Sequence, residues 1–367
     1  MRIKTITCHD VYNYGASLQA YALMHYLEIK GHEVEIIDYK PDYLSRHYQL
    51  RVANPVYDKP IVKYIYLLAK LYPYLRSLKR KRLFDEFRSK YLKLTSIRYQ
   101  SNEELKKNPP IADLYLAGSD QIWNTLFPNG KDSAFYLDFV PQGKIRASYA
   151  ASMATDKVAS GWEKFVSEKV MNLDQIAVRE ETAVSALKQI GVTKNISVVC
   201  DPVFLLSSDD WKKFIKDSLP IAKSNYILVY DFDRNNNIKE IAQYIAKKEG
   251  LKIIPIGITS FGARANYTNS IGPIEFLNLV YYAKCVISNS FHATAFSIIF
   301  QKPFYVVRRK ESLNTRMQDL LKRLSLTERL ISSAEDIKSL KIDYLAIQDI
   351  IQNHTFTGKE FLKKIID

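Results

Sequence analysis

Ile3-Lys4-Thr5-Ile6-Thr7-Cys8 predicts a short β-strand near the start of the chain, and the residues that follow it decide the fold. From Ala16 to Lys30, apolar side chains recur at helical spacing, and Gly31 is suited to end that helix. Val34-Glu35-Ile36-Ile37 then predicts a second strand, which ends at Asp38. A strand, a helix and a strand in this order form a βαβ unit, so the sequence predicts a parallel sheet.

The alternation of strands and helices continues along the chain and restarts once. We predict further strands at 114–117, 147–151, 175–178 and 196–200, and in the second series at 226–230, 252–256, 285–288 and 304–307. Helices are predicted at 161–170, 180–190, 237–248, 274–282 and 293–300. We interpret this as an α/β fold of two Rossmann-like domains, residues 1–205 and 206–367 with C-terminal helices, whose ligands bind at strand ends and in the cleft.

Composition and charge limit the class of protein. With 367 residues and 47% hydrophobic content, the chain is long and apolar enough for two folded domains. Its formal charge of +14 favours an anionic partner, but charge alone does not choose among nucleic acid, a phosphorylated small molecule and an anionic membrane. Three widely spaced cysteines indicate neither a disulfide framework nor a metal site, so we expect buried thiols. Lacking a secretory signal or a membrane-spanning run, the sequence predicts a cytoplasmic protein.

A basic and aromatic segment from Ile61 to Lys93 lies within an insertion predicted at about 42–105. Pro73 is predicted to split it into two helices. Four consecutive cations, Lys79 to Arg82, are flanked by leucine and aromatic residues, a combination typical of helices on anionic membranes. The alternatives are a solvated insertion with an exposed basic face and nucleic-acid binding, for which no motif is present. We expect peripheral membrane contact and no nucleic acid.

Two polar clusters follow strands of the first domain. Asn13-Tyr14-Gly15-Ala16-Ser17 joins the first strand to the first helix, where backbone amides can bind an anion, although Gly15 would equally serve a tight turn. Gly118-Ser119-Asp120-Gln121-Ile122-Trp123-Asn124 brings a carboxylate, an amide and an indole together, and these groups suit sugar hydroxyls and the ring face of a sugar. The alternative is structural, with Asp120 capping a turn and Trp123 in the core.

A third cluster, at 285–294, follows a strand of the second domain. His292 is predicted at the carboxyl edge of that sheet, beside helix-terminal amides, which suits an acid–base residue, while a structural histidine is the alternative. Arg308 and Arg309 follow the next strand, and Asn314-Thr315-Arg316 opens the next helix. These cations are candidates for binding phosphate or carboxylate, or are solvated.

In their order along the chain, these motifs resemble the polysaccharide pyruvyl transferase family over most of its length. The quoted stretches are Asn13 to Leu23 (NYGASLQAYAL), Gly31 to Val34 (GHEV) with Ile37 to Tyr39 (IDY), Gly118 to Trp123 (GSDQIW), Ala151 to Met153 (ASM), Val178 to Glu181 (VREE), Cys200 to Pro202 (CDP), Ser288 to Ala293 (SNSFHA) and Lys302 to Phe304 (KPF). The resemblance implies a fold similar to GT-B glycosyltransferases, with two Rossmann-like domains facing a cleft. It also implies transfer of a pyruvyl group from phosphoenolpyruvate to a sugar as a ketal, and that His292 matches the histidine regarded as catalytic.

We therefore predict His292 as the acid–base residue, with donor groups and acceptor groups around it. The predicted donor-binding residues are Arg179, Ser290, Arg308, Asn314 and Arg316. The predicted acceptor-binding residues are Asn13, Tyr14, Gly15, Gln19, Ser119, Asp120, Gln121 and Trp123. Better-studied members of the family carry Arg-Leu-His where this chain has Ser290-Phe291-His292, so an arginine that would clamp the donor is missing there.

The expected donor substrate is phosphoenolpyruvate, with no cofactor and no metal. The expected acceptor is a lipid-linked precursor of a surface polysaccharide such as an exopolysaccharide or capsule. Two other functions fit the same features. One is a GT-B-type glycosyltransferase with a nucleotide-sugar donor, and the other is a non-catalytic carbohydrate-binding protein of a polysaccharide assembly.

Overall fold

The structure is a computed structural model that describes residues 1–44, 60–217, 224–258, 260–262, 268–309 and 315–367. Its strands are β1 (Arg2–Ile6), β2 (Glu33–Tyr39), β3 (Leu94–Tyr99), β4 (Leu114–Ala117), β5 (Ile145–Ser148), β6 (Ile176–Val178), β7 (Ile196–Val198), β8 (Tyr226–Asp231), β9 (Lys252–Gly257), β10 (Cys285–Ser288), β11 (Phe304–Val307) and β12 (Leu330–Ile331). Its helices are α1 (Tyr14–Ile29), α2 (Pro60–Tyr91), α3 (Asn102–Lys107), α4 (Glu163–Met171), α5 (Glu181–Gln189), α6 (Ser208–Lys212), α7 (Asn236–Glu249), α8 (Pro273–Tyr282), α9 (Phe291–Ile299), α10 (Thr315–Arg323) and α11 (Gln348–Ile366).

The first sheet has five parallel strands in the order β3-β2-β1-β4-β5. β6 and β7 form a parallel pair beside it, joined through single bridges at Ala147 and Ala151. The βαβ unit predicted at the start of the chain is confirmed, because β1 and β2 pair in parallel across α1. The predicted strands from 114 to 200 are also present, within a few residues of their predicted ends.

The second sheet is also parallel, in the order β12-β11-β10-β8-β9. All four strands predicted for it are present, and β12 adds a two-residue edge strand that the sequence did not predict. The predicted fold class is confirmed, since each sheet consists of parallel strands connected through helices.

A shared hydrophobic core joins the two sheets. Helix α1 packs against α8 and α9, and Tyr14 in its first turn stacks between Phe84 and Phe276 at centroid distances of 5.4 Å and 5.0 Å. Separate clusters fill the outer faces of the first and second sheets. Because α1 and α9 begin at the carboxyl edges of the two sheets, this core brings those edges together.

Helix α2 is continuous over 32 residues, so the prediction that Pro73 splits this segment is wrong. Proline removes one N–H donor, but the hydrogen bonds of the turns on either side continue the helix. The region predicted as a helical insertion at about 42–105 also contains β3, an edge strand of the first sheet. Its residues 45–59 lie outside the described residues.

The four consecutive cations of α2, which the sequence predicted to contact an anionic membrane, do not form one exposed patch. Arg80 is buried, donates a hydrogen bond to the Tyr12 carbonyl, and lies 5.4 Å and 4.8 Å from the ring centroids of Tyr14 and Phe84. Lys79 is exposed. The other two cations pair with carboxylates one turn further along the helix, Lys81 with Asp85 and Arg82 with Glu86.

The last helix, α11, returns to the first sheet. The Phe361 ring lies 6.3 Å from that of Tyr149, just past β5. Gly358 packs so closely that a Cβ there would lie 2.4 Å from the Tyr149 hydroxyl and 2.7 Å from Sγ of Cys200. The chain just before α11 is held to α9, where Tyr344 donates a hydrogen bond to the Ser297 carbonyl at 3.3 Å.

The cysteines and the helices bear on two further expectations. Cys8, Cys200 and Cys285 are free and buried, as predicted. Burial raises the pKa of Cys200 and Cys285 to about 12, so both thiols are protonated at neutral pH. None of the helices in the described part of the chain is long and apolar enough to cross a membrane.

Candidate active site

Polar side chains from both sheets meet where α1 and α9 begin. His292 lies in the first turn of α9, Arg179 follows β6, and Asp201 follows β7. Parallel strands end at the same edge of a sheet, and the shared core places the two edges against each other. Residues separated by about a hundred positions or more in the sequence therefore form one cluster.

His292 is held between a carboxylate and a glycine. Its Nε2 lies 3.5 Å from Oδ2 of Asp201, and its side chain is 8% exposed. Its Nδ1 faces Gly15 of α1, where a Cβ would come within 1.9 Å of that nitrogen. Glycine is therefore required at position 15 for the imidazole to occupy this place. The predicted acceptor residue Gly15 makes room for the candidate acid–base residue.

Asp201 is the buried anion of this cluster. Its Oδ2 accepts a hydrogen bond from Nη1 of Arg179 at 2.6 Å, and its Oδ1 accepts one from the Val203 amide at 3.1 Å. Burial by itself would raise the pKa of Asp201, but His292 and Arg179 together hold this pKa below its ordinary value. Asp201 is consequently ionised and is placed to stabilise a positive charge on His292.

Arg179 has two more carboxylates around its buried guanidinium. Its Nη2 lies 3.6 Å from Asp120, and its Nε lies 3.8 Å from Glu180. Burial would lower the pKa of Arg179, but Asp201, Asp120 and Glu180 raise it. Neither Nε nor Nη2 has a hydrogen-bond partner among the described residues. Because buried polar groups are normally paired, these N–H groups are available for the oxygens of a ligand.

Arg316, from α10, completes the cationic part of the cluster. Its Nη1 lies 3.6 Å from Asp120, and the Gln121 amide oxygen, turned toward it, accepts from both Nη atoms at 2.8 Å. Burial, followed by the positive charge of Arg179, lowers the pKa of Arg316 to about 10. Its buried Nε has no partner in the described part of the chain. Since this cation is disfavoured by its surroundings, a bound anion would stabilise it.

Phe291 brings the two arginines together beside His292. The guanidinium carbons of Arg179 and Arg316 lie 4.4 Å and 5.7 Å from the centroid of its ring. Guanidinium groups are attracted to the face of an aromatic ring at these distances. Two arginines from distant segments thus supply positive charge next to the Ser290-Phe291-His292 tripeptide, which has no arginine of its own.

Glu180 organises the backbone around the cluster. Its Oε1 accepts hydrogen bonds from the Ser152 hydroxyl at 2.8 Å and from the amides of Met153 and Ala154 at 2.8 Å and 3.0 Å. The residue is almost fully buried. These bonds fix the loop after β5 to the end of β6, next to Arg179.

Trp123 lies in the core, so the prediction that it stacks on an acceptor sugar is wrong. Its side chain is fully buried, its indole N–H donates to the Phe135 carbonyl at 3.0 Å, and its ring stacks on Tyr136 at 5.5 Å. The core offers the indole both an apolar partner and a hydrogen-bond acceptor. Tyr14 is corrected for the same reason, because its ring lies in the aromatic core between Phe84 and Phe276.

We expect Trp123→Phe to destabilise the fold by about 1–3 kcal/mol, because the Phe135 carbonyl loses its buried donor and the core loses volume. Urea unfolding measures this change. Trp162→Phe, at a half-buried tryptophan, is the matched control and should cost less. An unchanged free energy of unfolding together with a raised KM for the acceptor would restore the role in sugar binding.

Gln19 and Ser119 are fully buried supports of the site, not surfaces for an acceptor. Gln19 Nε2 donates to the Thr7 hydroxyl at 2.9 Å, and its Oε1 accepts the Ser119 amide at 3.1 Å. The Ser119 hydroxyl donates to the Ala150 carbonyl at 2.8 Å. The polar atoms that were predicted to bind the sugar are therefore already hydrogen-bonded within the protein. The same hydrogen bonds fix the loop that carries Asp120.

Asn13 and Ser290 act as helix caps. Oδ1 of Asn13 accepts the Ala16 amide at 3.2 Å at the start of α1, and Oγ of Ser290 accepts the Ala293 amide at 3.4 Å at the start of α9. Both residues therefore orient the helix ends that carry Gly15 and His292. Their roles in binding acceptor and donor stay predictions.

The remaining predicted residues do not separate into an acceptor group and a donor group as predicted. Asp120 and Gln121, predicted for the acceptor, contact Arg316, which was predicted for the donor. Arg308 is exposed, and Asn314 lies outside the described residues. Arg309, the residue after Arg308, acts on the cluster instead, because its positive charge contributes to the lowered pKa of Arg316. Sequence reasoning gave no role to Asp201, although the quoted Cys200-Asp201-Pro202 stretch contained it.

Fold and site together define a class of protein with two Rossmann-like units facing a cleft, the GT-B architecture. Two solved structures share this fold. One is a UDP-GlcNAc 2-epimerase of Methanocaldococcus jannaschii in complex with UDP-GlcNAc and UDP, with a TM-score of 0.50, 13% identity and coverage of 100% of this chain and 99% of that one. The other is an Escherichia coli protein described as trehalose-6-phosphate and bound with UDP-2-fluoro glucose, with a TM-score of 0.52, 10% identity and coverage of 99% and 98%. At this identity the likeness shows the fold alone.

The family follows from the sequence itself. The model of the polysaccharide pyruvyl transferase family matches residues 13–311, and the chain belongs to that family. This confirms the resemblance drawn from the motifs. Among curated proteins, none matches the chain.

Proposed function

We propose that this protein transfers the pyruvyl group of phosphoenolpyruvate to two hydroxyls of a sugar in a surface-polysaccharide precursor, forming a ketal. The observation that carries the proposal is the position of His292 against Asp201, beside two buried arginines with unpaired N–H groups among the described residues. Phosphoenolpyruvate carries its phosphate ester and its carboxylate on the same carbon atom. Two adjacent cations with free donors suit such a compact dianionic group.

The reaction needs acid–base catalysis at carbon. A proton adds to the methylene carbon of the donor, and the first sugar hydroxyl attacks the adjacent cationic carbon and loses its proton. The bond from this carbon to the phosphate oxygen then breaks, and the second hydroxyl attacks the same carbon. The two sugar hydroxyls lose two protons in total. One proton is added to the methylene carbon, which becomes the methyl group, and the other leaves with phosphate.

His292 is proposed to hold and move these protons. Its Nε2 faces the ionised Asp201, and its Nδ1 packs against Gly15. Asp201 is accordingly a positioning residue, which orients the imidazole and stabilises its charge.

Arg179 and Arg316 are proposed to bind the phosphate and carboxylate of the donor. Their guanidinium groups are preorganised by Phe291 and by the shared carboxylate of Asp120. Fixed cations stabilise the charge that develops on the departing phosphate without reorganising during the reaction. The sugar would approach from the side of Asn13 and Asp120, both of which are half-buried.

Donor binding tests this proposal without knowledge of the acceptor. Isothermal titration of the purified protein with phosphoenolpyruvate should give a saturable heat, and titration with UDP-glucose should give none. The reverse result would favour a glycosyltransferase. Loss of a pyruvyl ketal from the surface glycan of the organism on deletion of the gene, followed by mass spectrometry, tests the whole reaction.

Arg316→Gln should raise the Kd for phosphoenolpyruvate roughly 10- to 100-fold, because a charge-assisted hydrogen bond contributes about 1.5–3 kcal/mol. Arg308→Gln removes an equal charge from an exposed neighbouring position and should leave the Kd within about twofold. If both variants bind the donor like the native protein, Arg316 is not part of the donor site.

A further inference from the structure

The first part of α2 carries an exposed apolar stripe, which we define as Tyr64, Leu68, Leu71, Leu75 and Leu78. These side chains are between 37% and 72% exposed. Their spacing of three and four residues places them on one face of the helix. Large contiguous apolar surfaces of this kind mark a contact with another molecule or with a membrane.

The end of α2 anchors this stripe without covering it. Phe84 and Phe87 are buried in the shared core, and Arg80 is buried against Tyr14. The helix begins at Pro60, so about twenty residues, roughly 30 Å of helix at 1.5 Å per residue, precede this anchor. Tyr74 of the same part of the helix packs against the shared core. The five residues of the apolar stripe are not among the core residues and remain exposed.

The same part of the helix is strongly basic. From 60 to 84 the sequence contains no aspartate or glutamate, and its cations are Lys63, Lys70, Arg76, Lys79, Arg80, Lys81 and Arg82. Arg80 is buried, and Lys81 and Arg82 are paired within the helix, so these three contribute less to an external contact. Lys79 is exposed, and the sequence adds Lys63, Lys70 and Arg76 before it.

Charge selects the occupant of this surface. A second copy of the chain packed along the same face would bring two basic helices together without a carboxylate to pair them. Anionic lipid headgroups neutralise the cations, and the leucines enter the boundary between headgroups and acyl chains. We propose that the first part of α2 binds the surface of an anionic bilayer, with the apolar stripe inserted. This proposal does not depend on the transfer reaction.

Vesicle co-sedimentation of the full-length protein tests the apolar contribution. The native protein should sediment with vesicles of phosphatidylcholine and phosphatidylglycerol and much less with phosphatidylcholine alone. The variant Leu68→Gln, Leu71→Gln, Leu75→Gln should bind the anionic vesicles at least roughly a hundredfold more weakly, since burying one leucine is worth about tenfold or more. The matched control Ile97→Gln, Ile111→Gln, Leu345→Gln changes three other exposed apolar residues and should bind like the native protein.

A charge series tests the electrostatic contribution. Lys63→Gln, Lys70→Gln, Lys79→Gln should weaken binding roughly fivefold per cation, and added salt should weaken native binding in the same direction. The control Lys247→Gln, Lys248→Gln, Lys252→Gln removes three exposed cations elsewhere and should weaken it less. The leucine variant and both control variants alter solvent-exposed positions. Thermal unfolding and phosphoenolpyruvate titration of every variant should match the native protein.

Two results would overturn the proposal. Equal sedimentation of the leucine variant and its control would remove the apolar stripe from membrane binding. A native dimer in sedimentation velocity that dissociates in the leucine variant would make the stripe an interface between copies. Donor binding is measured separately, so loss of vesicle binding with normal donor titration concerns the membrane alone.

Discussion

His292→Gln should lower the rate of pyruvyl transfer by about 10²- to 10⁴-fold, the usual contribution of a general acid–base residue. Glutamine has a similar reach but cannot deliver or accept the proton. The variant should retain phosphoenolpyruvate binding within a few-fold, because Arg179 and Arg316 are proposed to hold the donor. Turnover with the native acceptor and titration with the donor measure the two effects separately.

His25→Gln is the matched control, since His25 is partly exposed on α1, where it stacks on Tyr21 at 5.1 Å. It should transfer at the native rate. Native turnover by a folded His292→Gln variant would assign this histidine a structural role. An equal loss of turnover and of donor binding would instead make it a binding residue.

Asp201→Asn should destabilise the fold by about 3–5 kcal/mol, because it leaves the buried guanidinium of Arg179 without its nearest carboxylate. The Nη1 of Arg179 lies 2.6 Å from Asp201, whereas its distances to Asp120 and Glu180 are 3.6 Å and 3.8 Å. Urea unfolding at neutral pH measures the loss. Asp156→Asn, at an exposed carboxylate, is the control and should change stability by about 0.5 kcal/mol or less.

The same pair of proteins gives a pH dependence with a defined sign. The pKa of Asp201 is lower in the folded chain than its unfolded value of about 3.9. Its contribution to stability is therefore complete above that unfolded value and is lost as the pH falls through the folded pKa. The difference in unfolding free energy between the native protein and Asp201→Asn should be constant near neutral pH and shrink below about pH 4. A difference that stays constant into acid would show that the charge of Asp201 is not responsible.

The sequence was sufficient for the elements with strong periodicity and short connections. β1, α1 and β2 were predicted because apolar spacing, Gly31 and the run after it all indicate the same unit. β3 was missed because three of its six residues are exposed and it lies beside a basic helix. The prediction that Pro73 splits α2 gave too much weight to the loss of one hydrogen bond. That loss does not interrupt a helix that is anchored in the core by Phe84 and Phe87.

The candidate site was predicted less completely, because its geometry depends on contacts between distant segments. His292 was placed at a strand end from local pattern, and the structure brings Arg179 and Arg316 beside it. No local pattern reports that Asp201 meets His292, which is 91 positions later. For Trp123 the local pattern predicted a binding residue that is in fact a core residue. An indole beside polar residues has the same sequence signature whether it faces a sugar or Tyr136.

The return of α11 to the first sheet limits how the cleft can move. After β7 the chain leaves the first sheet and forms the second one, and α11 brings it back, where Phe361 and Gly358 pack on Tyr149. Two units joined at two places cannot slide or twist independently. A relative motion of the two sheets that preserves both crossings is a hinge rotation about the line through them, and it also has to part contacts of the shared core. Gly15 lies on one unit and His292 on the other, so such a rotation separates them, and the imidazole would reach its position only when the hinge is closed.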